Sequence, residues 1–311
     1  MDVTAAHRFR FEATGTSWQV VTDEPLDPLT RRAVLDLVED VEATFSRFRG
    51  DSLLSRCRDA PQGGRFRFPA HAADLFDLLD ELNVATDGAV DPLVGHDLER
   101  LGYDARYSFT PATSSTCSSS LPSMASSTSA HGTAGRQAAW GTHVRHHGSD
   151  LLTQGPVVLD LGAAAKGHLV DLVCGVLHAA GVDRSVVDAS GDLRCTGGAP
   201  MRVGLEDPRD AHRVIGVVDL QDRALCASAS NRRAWAPGVH HLLDARTGLP
   251  VQDVLATWVL ADRAAVADGL STALFVADPR PLAERFDFSW VRLLADGRAQ
   301  ASPDLAGRLF T

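Results

Sequence analysis

The sequence predicts an α+β protein, and three observations carry that prediction. Helical and extended patterns mix without strict β-α alternation, the second half holds many short strand signals, and no segment repeats at a solenoid period. A chain of 311 residues, 44% hydrophobic and 23% charged, has the length and composition of a soluble globular protein with a sizeable core. We expect residues 1–311 to form a single domain, interrupted by one flexible Ser/Thr-rich insertion at 107–150.

Taken in order, the first strand signal is Trp18–Val21. A helix follows in which Val34, Leu37, Val38 and Val41 recur at i, i+3, i+4 and i+7. A second helix surrounds Leu75, Leu78, Leu79 and Leu82 and runs into a turn at Thr86-Asp87-Gly88. From Tyr107 to Gly135 there is no Asp, Glu, Lys or Arg, and serine and threonine dominate between Ser108 and Ala130. Such a stretch buries too little apolar surface to offset its ordering entropy. Pro156–Asp160 reads as a buried strand entering a Gly/Ala turn, after which Leu169, Leu172, Val173, Val176 and Leu177 stripe a helix. Strands are predicted around Val186-Val187, Arg202–Leu205, Val214–Leu220 and Thr257–Leu260, then a helix at Ala264–Val276 and a strand at Trp290–Leu294.

The formal net charge of −10 works against non-specific binding to nucleic acid or an anionic membrane, so no nucleic-acid partner is expected. An anionic ligand would need local help from a metal, a lysine or backbone amides. Cys57, Cys117, Cys174, Cys195 and Cys226 form no C-x-x-C pair, which argues against a disulfide framework or structural zinc and suits a reducing compartment. No membrane-spanning segment and no signal peptide are seen, so the chain as written is expected to be cytoplasmic, or extracytoplasmic if a leader is missing.

Four short segments hold candidate chemistry. Asp160-Leu-Gly-Ala-Ala-Ala-Lys166-Gly sits where a strand is predicted to turn into a helix; small residues admit a close ligand, and helix N-terminal amides with a lysine suit phosphate oxygens. It has neither P-loop nor dinucleotide-fold spacing, and tight strand–helix packing would explain it equally. Asp268 and Thr272 stand at i and i+4 of the last helix, offering a carboxylate and a hydroxyl to one hard cation such as magnesium. His241 is a candidate general base, and Phe48 a flat face for a ring system.

The order of the blocks is more specific than any one of them. FEATGTSW, FSRFRGDSLLSR, TDGAVDPLVG, LDLGAAAKGHLVD, ASGDLRCTG, VGLEDP, HHLLDARTG and ADGLSTALFV, from about Phe11 to Val276, together resemble the ApbE family of FAD:protein FMN transferases. That resemblance implies an α+β fold of two mixed lobes with a cofactor cleft between them. It implies a Mg2+ site formed by Asp268, Thr272 and the Ala163 carbonyl, with Asp268 also essential to catalysis. Thr14, Phe48, Ala89, Val90, Asp91, Asp160, Lys166 and Leu242 match positions that contact FAD, and His241 matches a proton-transfer position. The chain departs from the family pattern at Thr14 (commonly Met), Val90 (Phe), Ser190 (Gly), Ala229 (Gly) and Ala245 (Pro).

The activity implied is magnesium-dependent transfer of FMN from FAD, the substrate, to a Thr or Ser hydroxyl of an acceptor flavoprotein, with release of AMP. Two alternatives remain at this level: an FAD pyrophosphatase giving free FMN and AMP, and a flavin-binding protein without catalysis.

Overall fold

The computed structural model describes residues 6–111 and 139–310. Its centre is an eight-stranded sheet: β1 (His7–Ala13), β2 (Thr16–Thr22), β3 (Ser185–Asp188), β4 (Asp192–Thr196), β5 (Ala224–Ala229), β6 (Val254–Ala261), β7 (Ser289–Leu294) and β8 (Ala299–Ala301). The strands lie side by side in chain order, and each of the seven pairings is antiparallel. The sheet is thus a meander into which helices and loops are inserted between neighbouring strands. The tightest turn, between β1 and β2, places Thr14 and Gly15 at φ 52° and 70°, the doubly left-handed geometry that matches strand twist in a two-residue hairpin.

Side chains alternate across the sheet with period two. Val20, Val187, Cys226, Val259 and Ala261 face a layer of helices, while Val186, Leu225, Trp258, Leu260 and Leu293 face the other way. That second face is covered by the hairpin Met201–Asp207/Asp210–Leu220 through Leu205, Val218 and Leu220. Burial on both faces explains why β6 is apolar along nearly all its length rather than alternating.

Four helices dominate the first layer: α1 (Pro28–Phe45), α2 (Ala72–Ala85), α3 (Ala165–Ala179) and α4 (Ala264–Val276). The Asp27 carboxylate caps α1 by accepting from the Leu29 and Thr30 amides. Neither α3 nor α4 has a capping side chain of its own; each borrows one from the other. Asp268 of α4 accepts from the Gly167 amide in the first turn of α3 at 2.9 Å, and Asp171 of α3 accepts from Ala264 and Ala265 at the start of α4 at 2.9 and 3.0 Å. This exchange requires close approach, and Gly167 permits it: a Cβ there would lie 2.2 Å from the Ala264 carbonyl oxygen and 2.7 Å from the Asp268 Cβ.

The α+β class and the four principal helices agree with the sequence. Pro156–Asp160, expected as a strand, joins no sheet; its backbone amides donate to carbonyls of two short helical segments, Val157 to Cys57 and Asp160 to Pro92, while Val157 and Leu159 are buried. Apolar character there reports burial, not extension in a ladder. β1 was not anticipated, because its HRFRFEA pattern leaves one face exposed and only partly buries Phe9 and Phe11. A short strand, β8, follows the one expected to close the chain. Residues 112–138 of the expected flexible insertion lie outside the described residues. Toward the end of that span, Val144–His147 pairs with Asp150–Thr153, and Trp140 and Val144 are buried.

Two outcomes are expected. Gly167→Ala should destabilise the fold by about 3 kcal/mol, read as a lower urea midpoint, because the methyl meets backbone rather than a movable side chain. His168 of α3 is buried with its Nε2 3.1 Å from His71 Nδ1; burial pushes its imidazole down to about 4, with the His71 and Arg263 charges adding to this and Asp74 opposing it. Unfolding restores an ordinary value of 6.5, so below that pH the unfolded chain binds the extra proton. The stability is therefore intact above pH 6.5 and falls toward pH 4, by on the order of 2–3 kcal/mol. Urea unfolding at several pH values should show this loss and a smaller one in His168→Gln.

Candidate active site

A cleft of about 1110 Å³ opens where the β1–β2 turn, the end of α1, the start of α3, the middle of α4 and the 225–245 segment converge. Thr14, Phe48, Ala89, Val90, Asp91, Asp160, Ala163, Lys166, His241, Leu242, Asp268 and Thr272 all line it. Residues 258 positions apart in sequence, Thr14 and Thr272, share this wall because the meander brings its insertions to one end of the sheet.

At the α3–α4 crossing, Asp268 is buried with Gly167 as its amide donor. Burial pushes its carboxyl well above the usual carboxylate range; Asp192 adds to this and Lys166 opposes it. The Thr272 hydroxyl lies 3.5 Å from the Ala163 carbonyl oxygen. Among the described residues no three His, Cys, Asp or Glu side chains converge as a metal cluster. A cation here would instead meet one carboxylate and neutral oxygens, leaving positions for water and a substrate phosphate. Such a hard, sparse donor set fits magnesium, and a buried carboxylate whose ionisation is disfavoured would be relieved by it.

Lys166, in the first turn of α3, reaches the fully buried Asp192 of β4, with Nζ 2.8 Å from Oδ2, and donates to the Ala189 carbonyl at 3.2 Å. Burial alone would depress the ammonium, but Asp192 and then Asp268 outweigh it and raise its pKa. Lys166 therefore stays charged at the cleft wall. Asp160 is fixed by Arg47, whose Nε lies 2.5 Å from Oδ2, and by the Gly162 amide on Oδ1 at 2.8 Å. Burial works to raise its carboxyl, and Arg47 overturns that to a net lowering. Arg47 also donates to the Tyr103 carbonyl at 2.8 Å.

His241 follows the short strand Val239–His240 and is half-buried. Burial pushes its imidazole down to about 3, with the Arg233 charge adding to the effect. It is neutral at physiological pH, and its buried Nδ1 has no hydrogen-bond partner among the described residues. Leu242 is buried alongside. In the 89–91 turn, Thr86 Oγ1 accepts from Val90, Asn83 donates to the Val90 carbonyl, and Asp91 accepts from Leu93 and Trp140. Phe48 lies parallel to Tyr107, centroids 5.1 Å apart at 8°, beside Tyr103, which stacks on Trp235.

The departures from the family pattern find local explanations. Ala229 lies in β5 paired with Ala256, where no left-handed backbone is needed. The Ala245 amide donates to the Ala89 carbonyl at 2.9 Å, a bond proline lacks. Ser190 takes φ 54°, a conformation natural to glycine, and its hydroxyl donates to the Ser17 carbonyl at 2.7 Å. Sequence reasoning missed Arg47, Asp192, Tyr103, Tyr107, Arg233 and Trp235. Arg47 and Asp192 lie inside the blocks FSRFRGDS and ASGDLR, but their partners are 113 residues away for Arg47 and on another element for Asp192.

The ApbE family model matches residues 14–287. The FAD:protein FMN transferase of Rhodobacter capsulatus is 35% identical over 174 residues, covering 52% of this chain and 33% of that protein. The FAD:protein FMN transferase of Vibrio cholerae serotype O1 is 29% identical over 263 residues, covering 80% of this chain and 74% of that protein. Among solved structures, the ApbE protein of Thermotoga maritima superposes with a TM-score of 0.79 at 25% identity, over 98% of this chain and 100% of that one.

Removing Arg47 leaves the Asp160 carboxylate buried without its counter-charge. Arg47→Met should lower stability by about 3–5 kcal/mol, and Arg47→Met with Asp160→Asn should recover part of that in thermal denaturation.

Proposed function

The chain belongs to the ApbE family, and from that premise we propose that it is a magnesium-dependent FAD:protein FMN transferase acting on a Thr or Ser hydroxyl of an acceptor flavoprotein and releasing AMP. The observation that carries this reading is the convergence, on one cleft, of the buried Asp268 carboxylate, the Thr272 hydroxyl beside the Ala163 carbonyl, a charged lysine and a neutral imidazole. Charge, hydroxyl and base then stand on a surface deep enough for a dinucleotide.

Magnesium, held by Asp268, Thr272 and the Ala163 carbonyl, would neutralise charge on the FAD pyrophosphate. The residues of the chain do the rest. Phe48, the Ala89–Asp91 turn, Thr14 and Leu242 bound the flavin end, while Lys166 adds charge toward the phosphates and Asp160, tied to Arg47, keeps the Gly162 turn in shape. The acceptor hydroxyl oxygen bonds to the FMN-side phosphorus as His241 takes its proton. The phosphoanhydride P–O bond breaks, and its electron pair leaves with AMP. Depression of the His241 pKa keeps the imidazole in the form that can accept.

Asp268→Ala should abolish magnesium-dependent AMP release, and His241→Gln should slow it by about 10²–10⁴-fold without loss of fold. The assay is AMP formation by chromatography with intact-mass measurement of an acceptor flavoprotein. An acceptor gaining the mass of FMN supports the transferase; AMP and free FMN with an unmodified acceptor would replace it with hydrolysis. Unchanged turnover in Asp268→Ala would sink the assignment of the site.

A further inference from the structure

The cations lining the cleft fall into two classes. Lys166 is paired with Asp192, Arg47 with Asp160, Arg49 with Glu39 and Asp51, and Arg232 with Glu206. Arg233 makes no ion pair among the described residues. Its Nη1 donates to the Tyr103 hydroxyl at 3.2 Å, a neutral partner that holds the guanidinium without cancelling its charge.

Its position is marked by what surrounds it. Arg233 lies near Tyr103, Asp160, His241 and Asp268, since its charge acts on all four, and the backbone of Arg233 meets the His241 side chain. These neighbours come from four separate stretches of chain around one cleft. The side chain is half-buried, so its charge is less screened than one on the open surface. In a protein of net charge −10, a guanidinium held at the cleft wall by a neutral hydroxyl rather than by a paired carboxylate remains available to an anionic ligand.

We propose that Arg233 is a substrate-binding residue that takes a pyrophosphate oxygen of the dinucleotide, presented in the required orientation by the Tyr103 hydroxyl. Guanidinium geometry suits bidentate contact with phosphate, and the paired cations of the cleft are already committed. This inference rests on the transferase reading for the identity of the ligand, but it concerns binding and is tested without turnover.

The experiment is titration of the full chain, with magnesium present, using FAD and riboflavin followed by flavin fluorescence and ADP followed by competition against FAD. Arg233→Gln should weaken FAD and ADP by roughly ten- to a hundredfold, the loss of a charge-assisted contact, and leave riboflavin unchanged. Arg233→Lys should recover part of the loss, and Tyr103→Phe should weaken FAD by a smaller factor with the Arg233 charge retained. The dependence of FAD affinity on salt should also be shallower in Arg233→Gln. FAD affinity unchanged in Arg233→Gln, or equal losses for FAD and riboflavin, would overturn the proposal; the second result would mark Arg233 as a scaffold residue. AMP release by the wild-type chain tests the transferase reading separately, so the two can fail independently.

Discussion

The reciprocal capping of α3 and α4 is the constraint on which the site depends. Each helix begins with amides that no local side chain satisfies, and each is completed by a carboxylate from within the other. Buried helix termini without partners are costly, so the exchange fixes both the separation and the relative shift of the two helices. Because Asp268 is one of the two capping groups, the carboxylate that faces the cleft is also a structural member. Its Oδ2 holds the crossing.

Charge in the cleft is arranged around that crossing. Asp192 lies fully buried behind Lys166, and Arg47 lies behind Asp160, so these two wall groups each have a counter-charge on the protein side. Low solvent exposure strengthens those pairs and at the same time makes any unpaired group conspicuous. Asp268 and Arg233 stand outside those two pairs, one of each sign. A metal–pyrophosphate unit is itself a pair of opposite charges and would complement both.

How much of this was legible in the sequence varied with the kind of interaction. Periodic apolar stripes gave away α1 to α3, since 3.6-residue spacing is a local signal that tertiary packing reinforces. Pro156–Asp160 misled because a buried apolar run reads alike whether its backbone pairs in a sheet or bonds to helical carbonyls. β1 escaped because arginines fill its exposed face. The ordered blocks drew attention to residues that do line one cleft, but Arg47 and Asp192 were passed over inside those same blocks. Their importance lies in a partner elsewhere in the chain, which no local pattern records.

By itself the sequence determined the mixed architecture, the main helices and the identity of the residues on the cleft wall, because period and motif order are properties of nearby residues. Tertiary structure decided the rest. It set which strand neighbours which, which amide Asp268 satisfies, that His241 is held neutral, and that Arg233 meets the Tyr103 hydroxyl. Those depend on desolvation and on distances between segments far apart in the chain, and both arise only when the sheet and its inserted layers close around one another.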